Sequence, residues 1–406
     1  MKTIFKLGAF LVVSATAAHG QVAPAATAGA AGLQYTFRYA QTAEFTNTDG
    51  DFQTLSPSAS VEYANGSERH PFSLKYTGGY NWGFSGPAYD TGFFQRLRLS
   101  QSMAWPKWEA YVTDNVSYLP EAPTIGFSGV PGVGEPIGEP NPEPPTSESI
   151  LNQNTHIVNN VATVGLTRQV DHATTVGGGF TSELLRYPDG NGLDTDTQLA
   201  TAYVAWSYNP RNELSGNYMY SEFTYPGNPV SFSTNTATIG FRRLWSRRLT
   251  TNVSVGPEWV QSSDSSVVPS STRISANAGL NYLLRFGQAA LTYSHGTNGG
   301  AGYLLGAEYD TVRLTFSREF VRNLTIGFDG AYDRTSGLRN NGVTNGKFGG
   351  AQLSWRANRY LTAFASYTAF DQSTSSALFS TAVSGLDQVV SFGVGYSPRG
   401  TRLIRH

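Results

Sequence analysis

The most restrictive feature of this sequence is a hydrophobic period of two that recurs throughout residues 33–398. In residues 72–84, apolar side chains or glycine occupy one set of alternate positions, and small or polar residues occupy the other. The same alternation returns in 274–286 and 390–397. Because successive side chains of a strand point to opposite faces, this pattern predicts strands with one apolar and one polar face.

We count eighteen such strands, and the connections between them alternate between short turns such as 169–172 and long polar loops such as 120–152. This alternation is typical of outer-membrane barrels, because hydrocarbon cannot hydrogen-bond the free edge of an open sheet. The polar face carries Ser, Thr, Asn and Gly, whereas a soluble propeller or sandwich would expose Lys and Glu. The sequence therefore predicts an all-β fold, a transmembrane antiparallel up-and-down β-barrel of about 18 strands. Strand 107–119 is irregular, because Asp114 falls among its apolar positions.

The N-terminal residues predict that the protein is exported. Residues 1–20 combine two lysines, an apolar stretch and small residues before a cleavage point, as a secretory signal peptide does. Residues 21–32 read as a flexible small-residue linker, 33–398 as the barrel and 399–406 as a C-terminal tail. We therefore expect a signal peptide that is cleaved and a barrel located in the cell outer membrane.

Composition excludes several classes of site. Charged residues make up only 14% of the 406 residues, against about 25% in an average soluble domain, and the net charge is −1. This near-neutral balance gives no reason to expect nucleic-acid binding. The chain has no Cys, so it has neither disulfides nor thiolate metal ligands. No cofactor-binding or metal-binding residue is assigned, and we expect no cofactor.

Two segments carry a resemblance to a known family. AGYLLGAEYDTVRLTFSREFVRNLTIGFDGAYDR (301–334) and DQVVSFGVGYSP (387–398) resemble hairpins of outer-membrane β-barrel porins, including barrels encoded near exopolysaccharide-biosynthesis genes. The resemblance implies a fold and a location more than a substrate. Such chains commonly end on an aromatic residue, whereas here the chain runs on past Tyr396, the last strand aromatic.

The longest loop, the third on the outside, predicts a pore constriction. Residues 120–152 hold eight prolines and no Lys or Arg, and they carry five carboxylates: Glu121, Glu135, Glu139, Glu143 and Glu148. In general porins, by analogy, this loop folds inward and faces a basic wall. Four basic residues of nearby strands are predicted to point inward and supply that wall: Arg38, Lys75, Arg96 and Arg98. Opposed charges would select solutes by their transverse field; the alternative is a loop that stays outside.

A second inward cluster lies on the hairpin 311–333. If Phe316 pairs with Phe328 on the lipid face, Arg313 lies diagonal to both Asp329 and Asp333 in the lumen. We favour a wall salt bridge that fixes the strand register over a solute site.

Enzymatic chemistry is weakly indicated, and no catalytic residue is assigned. His295 and Thr297 echo the His-x-Ser arrangement of outer-membrane lipid hydrolases, but with Thr in place of Ser. Three non-enzymatic functions remain: a passive channel for small hydrophilic solutes, which we favour, a conduit or accessory barrel for exopolysaccharide export, and a surface structural or adhesive barrel. The sequence pattern reveals no inward ladder of aromatics for sugar transport. Expected partners are outer-membrane lipid, lipopolysaccharide and small solutes, while the sequence leaves the oligomeric state open.

Overall fold

The computed structural model describes residues 32–46, 52–67, 69–85, 91–120, 156–190, 192–300, 304–321, 323–339, 342–375, 385–398 and 401–402. Within these ranges no helix is long and apolar enough to cross a membrane. Eighteen strands of 12–15 residues follow one another. Their bounds are β1 Gly32–Thr46, β2 Phe52–Ala64, β3 Phe72–Ser85, β4 Gly92–Ala104, β5 Trp108–Pro120, β6 His156–Gln169, β7 Thr174–Arg186, β8 Thr195–Asn209, β9 Asn212–Thr224, β10 Ser231–Leu244, β11 Leu249–Ser262, β12 Ser271–Leu284, β13 Gly287–Asn298, β14 Ala307–Val321, β15 Leu324–Gly337, β16 Val343–Arg356, β17 Leu361–Thr374 and β18 Gly385–Tyr396.

The sheet closes on itself. Each strand pairs antiparallel with the next, and β1 also pairs with β18 in a register that places Phe37 opposite Tyr396. A two-residue strand, β19 (Thr401–Arg402), extends this seam by pairing with the start of β1. Closure leaves no long unpaired edge, and it confirms the predicted eighteen-stranded barrel.

The two ends of the barrel differ. The end where β1 begins and β18 finishes carries short turns such as 210–211 and 285–286. The opposite end carries the longer connections, among them 187–194, 263–270 and 121–155. We call these the short-turn end and the long-loop end. The alternation of connection lengths predicted from the sequence is therefore present.

The barrel is apolar outside and polar inside. Large hydrophobic side chains point outward and are strongly exposed, with Ile239 at 73%, Phe93 at 64% and Ile274 at 61%. Hydroxyl and amide side chains are instead buried along the inner wall, as at Thr42, Ser56, Thr113, Thr163, Thr234, Thr236, Thr238, Ser254, Ser275, Asn277 and Ser391. This arrangement inverts that of a water-soluble protein, and its apolar outer band fits hydrocarbon.

Aromatic residues at the short-turn end are covered by arginines. The distances from the guanidinium carbon to the ring centre are 4.9 Å for Arg168–Trp108, 4.0 Å for Arg243–Trp245, 5.1 Å for Arg285–Phe286 and 4.6 Å for Arg359–Tyr360. Cations attract the faces of aromatic rings, and amphipathic rings favour the headgroup level of a bilayer. These pairs therefore lie where a membrane boundary is expected on this side.

Asp114 is the exception that the sequence pattern flagged. It occupies the middle of β5 and shares the outward face with Val112 and Val116. The side-chain amide of Asn160, on the neighbouring strand β6, donates a hydrogen bond of 2.7 Å to Asp114 Oδ1. The outward carboxylate is thus partly compensated across the strand pair.

Candidate functional site: the barrel lumen and its mouth

The basic residues predicted for the constriction lie on the inner face of β1, β3 and β4. Lys75 stands directly opposite Arg98 in the strand register, and Arg96 stands opposite Thr77. Arg98 Nε donates a hydrogen bond of 3.1 Å to Asn115 Oδ1 on β5. These side chains, together with Arg38 on β1, place positive charge on one side of the lumen.

The five glutamates predicted to face this wall lie outside the described residues. So do the signal peptide, the linker before residue 32 and most of the C-terminal tail. The constriction between the long loop and the basic wall therefore stays a prediction.

The second predicted cluster is a wall contact between β14 and β15. Phe316 pairs with Phe328 and Thr315 with Asp329, and Arg313 Nη2 lies 2.7 Å from Asp329 Oδ2. Asp333 instead accepts a hydrogen bond of 2.6 Å from the Thr311 hydroxyl. The arginine therefore contacts the nearer carboxylate directly, while the other is bound to a hydroxyl.

His295 does not form a catalytic arrangement with Thr297. Its Nδ1 lies 2.9 Å from Asp310 Oδ1, and its Nε2 lies 3.4 Å from Glu308 Oε1. For catalysis, the Thr297 hydroxyl would have to lie within hydrogen-bond reach of a ring nitrogen of His295. Here both ring nitrogens face carboxylates, so the ring is part of a polar network.

The feature that the sequence analysis missed is an apolar core at the long-loop end. Three side chains on the inner wall, Phe223, Phe232 and Val260, pack with residues of the loops above them. We call this set the mouth core: Phe223, Tyr225, Val230, Phe232, Val260, Val268 and Leu338. The rings of Phe223 and Phe232 stack with centroids 4.6 Å apart. Because the inner wall is otherwise largely polar, this core holds loops against the inside of the opening.

The connection between β13 and β14, the loop 299–306, contacts this core from inside the barrel through its described residues, 299–300 and 304–306. The Tyr225 hydroxyl donates a hydrogen bond of 2.9 Å to the carbonyl oxygen of Gly299. A Cβ placed on Gly299 would lie 3.2 Å from atoms of Phe223 and Thr195, which belong to β9 and β8. Those strands are four and five positions from β13 around the barrel, so the loop narrows the opening.

Two glycines make the shape of this loop possible. Gly300 and Gly306 have φ of 88° and 82°, a left-handed region that side chains disfavour. The carbonyl of Gly306 accepts a hydrogen bond of 3.2 Å from the amide of Leu338. A Cβ at Gly306 would also meet Phe232 and Leu338. The turn therefore needs glycine for both its backbone and its packing.

The sequence signal for the mouth core is a pair of apolar residues in each of two otherwise polar loops. Val267 and Val268 interrupt a serine-rich loop, and Leu304 and Leu305 interrupt a glycine-rich one. Val268 is fully buried and Leu304 nearly so. Paired apolar residues in an otherwise polar loop, beyond the reach of lipid, indicate a loop that packs on itself or on the barrel.

Comparisons with known proteins establish no family. No family model matches the chain, and no curated protein matches it. Solved structures with a similar fold include Pseudomonas aeruginosa OccK5 (OpdH), 13% identical with a TM-score of 0.47 over 90% of this chain and 97% of that one. Acinetobacter baumannii OccAB3 is 11% identical, with a TM-score of 0.45 over 90% and 99%. Pseudomonas aeruginosa OccK2 (OpdF) in complex with glucuronate is 10% identical, with a TM-score of 0.46 over 91% and 99%. Likeness at this level leaves the function to be argued from the barrel itself.

Proposed function

We propose that the protein is an outer-membrane channel through which small hydrophilic solutes diffuse passively. The observation that supports this proposal is a closed eighteen-stranded wall with polar side chains inside and apolar side chains outside. Barrels of 16–18 strands are wide enough to enclose water, whereas eight-stranded barrels are filled by their own side chains. The outer band contacts outer-membrane lipid and lipopolysaccharide, and residues 1–20 act as the export signal.

Two elements narrow this channel in the proposal. The first is the loop 299–306, whose described ends contact the mouth core at the long-loop end. The second is the loop 120–152, whose glutamates would face Arg96 and Arg98 across the lumen. Opposed charges in a narrow passage favour or exclude solutes according to their charge. The proposal assigns no chemical step to the barrel, only selection by size and charge.

Conductance in a planar bilayer tests the proposal. The purified protein should form pores of ohmic conductance, and deletion of 124–146 should raise it by removing an obstruction. Replacing Glu135, Glu139 and Glu143 by Gln should shift selectivity toward anions, and replacing Arg96 and Arg98 by Ser should shift it toward cations. Raising the salt from 0.1 M to 1 M should weaken both shifts, because the Debye length falls from about 10 Å to about 3 Å. A protein that assembles but passes no current contradicts the channel.

A surface structural barrel is the second candidate, and the mouth core favours it. The seven buried side chains of this core fill part of the long-loop end, as expected of a barrel whose loops are ordered rather than open. A silent bilayer recording together with a correctly assembled barrel supports this alternative. An export conduit for exopolysaccharide would need a wide long-loop end, and the contact between Tyr225 and Gly299 lies inside part of it.

A further inference from the structure

The inner wall of β6 and β7 carries a patch of glycines that the channel proposal leaves unexplained. The segment VGGGF (176–180) lies within β7, with Gly177 and Gly179 on the inner face. Gly165 of β6 stands opposite Gly179 and also faces inward. Glycine in a strand interior weakens the strand and commonly marks close approach of another group. Here the approaching groups are two tyrosine rings.

Tyr203 of β8 lies across Gly177. A Cβ on Gly177 would be 2.6 Å from both Cζ and Oη of Tyr203, so only glycine leaves room for the ring. The hydroxyl of Tyr203 reaches one strand further and lies 2.9 Å from Thr167 Oγ1 on β6. The ring is therefore held flat against the wall, by its backbone attachment on β8 and by its hydroxyl on β6.

Tyr111 of β5 lies across Gly165 in the same way. A Cβ on Gly165 would overlap Cε1, Cζ and Oη of this ring. Tyr111 leans from β5 over β6, whereas Tyr203 leans from β8 over β7, so the two rings approach each other from opposite sides. Both side chains point inward and are half-buried, so part of each ring surface is accessible from the lumen. We call this pair the tyrosine platform.

The polar groups around the platform suit a neutral solute. The strand register places Glu109, Thr167, Gly177, Tyr203 and Asn217 in one row across five strands. In the part of the chain that the structure describes, the inner face of β5–β9 carries no Lys or Arg. These five strands therefore offer an anion no positive partner of their own, and the flanking cations face other groups: Arg98 of β4 bonds Asn115, and Arg242 of β10 stands opposite Glu213. Carboxylate, hydroxyl and amide groups together can both donate and accept hydrogen bonds.

Resting on the channel proposed above, we propose that the tyrosine platform is a binding subsite for the pyranose ring of a neutral sugar. The apolar C–H face of the sugar lies on the ring faces of Tyr111 and Tyr203, whose negative π-surfaces attract the slightly positive C–H groups. Glu109 and Asn217 lie at opposite ends of this row, so hydroxyls at one edge of the sugar bond Glu109 on the β5 side or Asn217 on the β9 side. Two flat rings beside a polar rim fit a flat solute with polar edges. A cation would instead favour rings arranged as a cage.

Calorimetric titration of the full-length protein in detergent tests the subsite. Maltose, cellobiose, lactose and sucrose serve as probes, with choline as the cationic comparison. We expect at least one sugar to bind, and the Tyr111→Ala/Tyr203→Ala variant to lose about tenfold or more in affinity, since each ring contact contributes modestly. Tyr203→Phe keeps the ring and should stay within about threefold of the wild type. Tyr218→Ala, which removes an outward-facing ring, should leave sugar affinity unchanged.

A variant of Gly177 tests whether the position of the Tyr203 ring, and not only its presence, determines sugar binding. Gly177→Val keeps both tyrosines but places side-chain atoms where the Tyr203 ring lies, so it should weaken sugar binding like the alanine variant. Heat-dependent migration on a gel confirms that each variant is assembled. Sugar affinity that survives loss of both rings overturns the proposal, as does binding of choline but none of the sugars. Conductance measured without sugar tests the channel separately: a conducting pore that binds no sugar refutes the subsite alone, whereas an assembled barrel without current refutes the channel.

Discussion

The buried hydroxyl of Tyr225 is the sharpest test of the loop that crosses the barrel mouth. The side chain is 1% exposed, and its hydroxyl donates the 2.9 Å hydrogen bond to the carbonyl oxygen of Gly299. Burial raises the pKa of this phenol well above its usual value, so the donor proton stays in place at any working pH. Tyr225→Phe removes the hydroxyl and keeps the ring in the mouth core.

The free-energy cost of Tyr225→Phe follows from the loss of the hydrogen-bond donor to the Gly299 carbonyl. A buried carbonyl left without its donor costs about 1–3 kcal/mol, and the loop 299–306 recovers that energy by leaving the core for water. The ratio of undocked to docked loop should therefore rise about 5–150-fold. Because the docked loop narrows the opening, the variant should spend more time in a state of higher conductance.

Single-channel recording measures this change directly. Tyr218→Phe is the matched control, because it also removes a tyrosine hydroxyl, one that bonds Asn235 at 2.6 Å on the outer wall. The control should behave like the wild type. If Tyr225→Phe assembles and its conductance and its open-state fluctuations match those of the control, the loop does not obstruct the pore.

Three further outcomes are expected. Ile239→Arg replaces the most exposed apolar side chain of the outer band. It should block assembly in bilayers, because arginine near the midplane costs about 2–4 kcal/mol. A normal yield of folded protein, measured by gel migration, would mean that the inner and outer faces have been assigned the wrong way round. Hydrogen bonds from the His156 side chain and amide lower the pKa of Asp189. This contact therefore stabilises the fold above the usual aspartate range and is lost as pH falls through the lowered pKa; NMR titration of the Asp189 carboxyl should show a depressed midpoint, and one that His156→Ala leaves unchanged would contradict this cause. Asn160→Val should lower the free energy of unfolding by denaturant by about 1–3 kcal/mol, since the outward carboxylate of Asp114 loses its amide donor. Asp114→Val should be neutral or stabilising. Equal losses of stability in both variants would argue against this hydrogen bond.

The strands, their faces and their number could be predicted from the sequence because each depends on neighbouring residues alone. A side chain on a membrane-spanning strand meets either lipid or the lumen, so the alternation is written in full along every strand. This local rule also placed Arg38, Lys75, Arg96 and Arg98 on the inner wall. It even marked Asp114 as an anomaly, although the compensating Asn160 lies on another strand, 46 residues away.

The narrowing of the mouth and the tyrosine platform were decided only by the tertiary structure. Tyr225 and Gly299 are 74 residues apart, and Tyr203 and Thr167 are 36 apart. Neither contact has a sequence period, because each depends on which strands the closed sheet brings together and on which positions are small enough to be covered. Alternation fixes that Gly177 faces inward, but only the neighbouring strand decides that a ring lies on it. The sequence by itself therefore determined the wall of this barrel, whereas the contents of its lumen follow from long-range packing that local pattern does not encode.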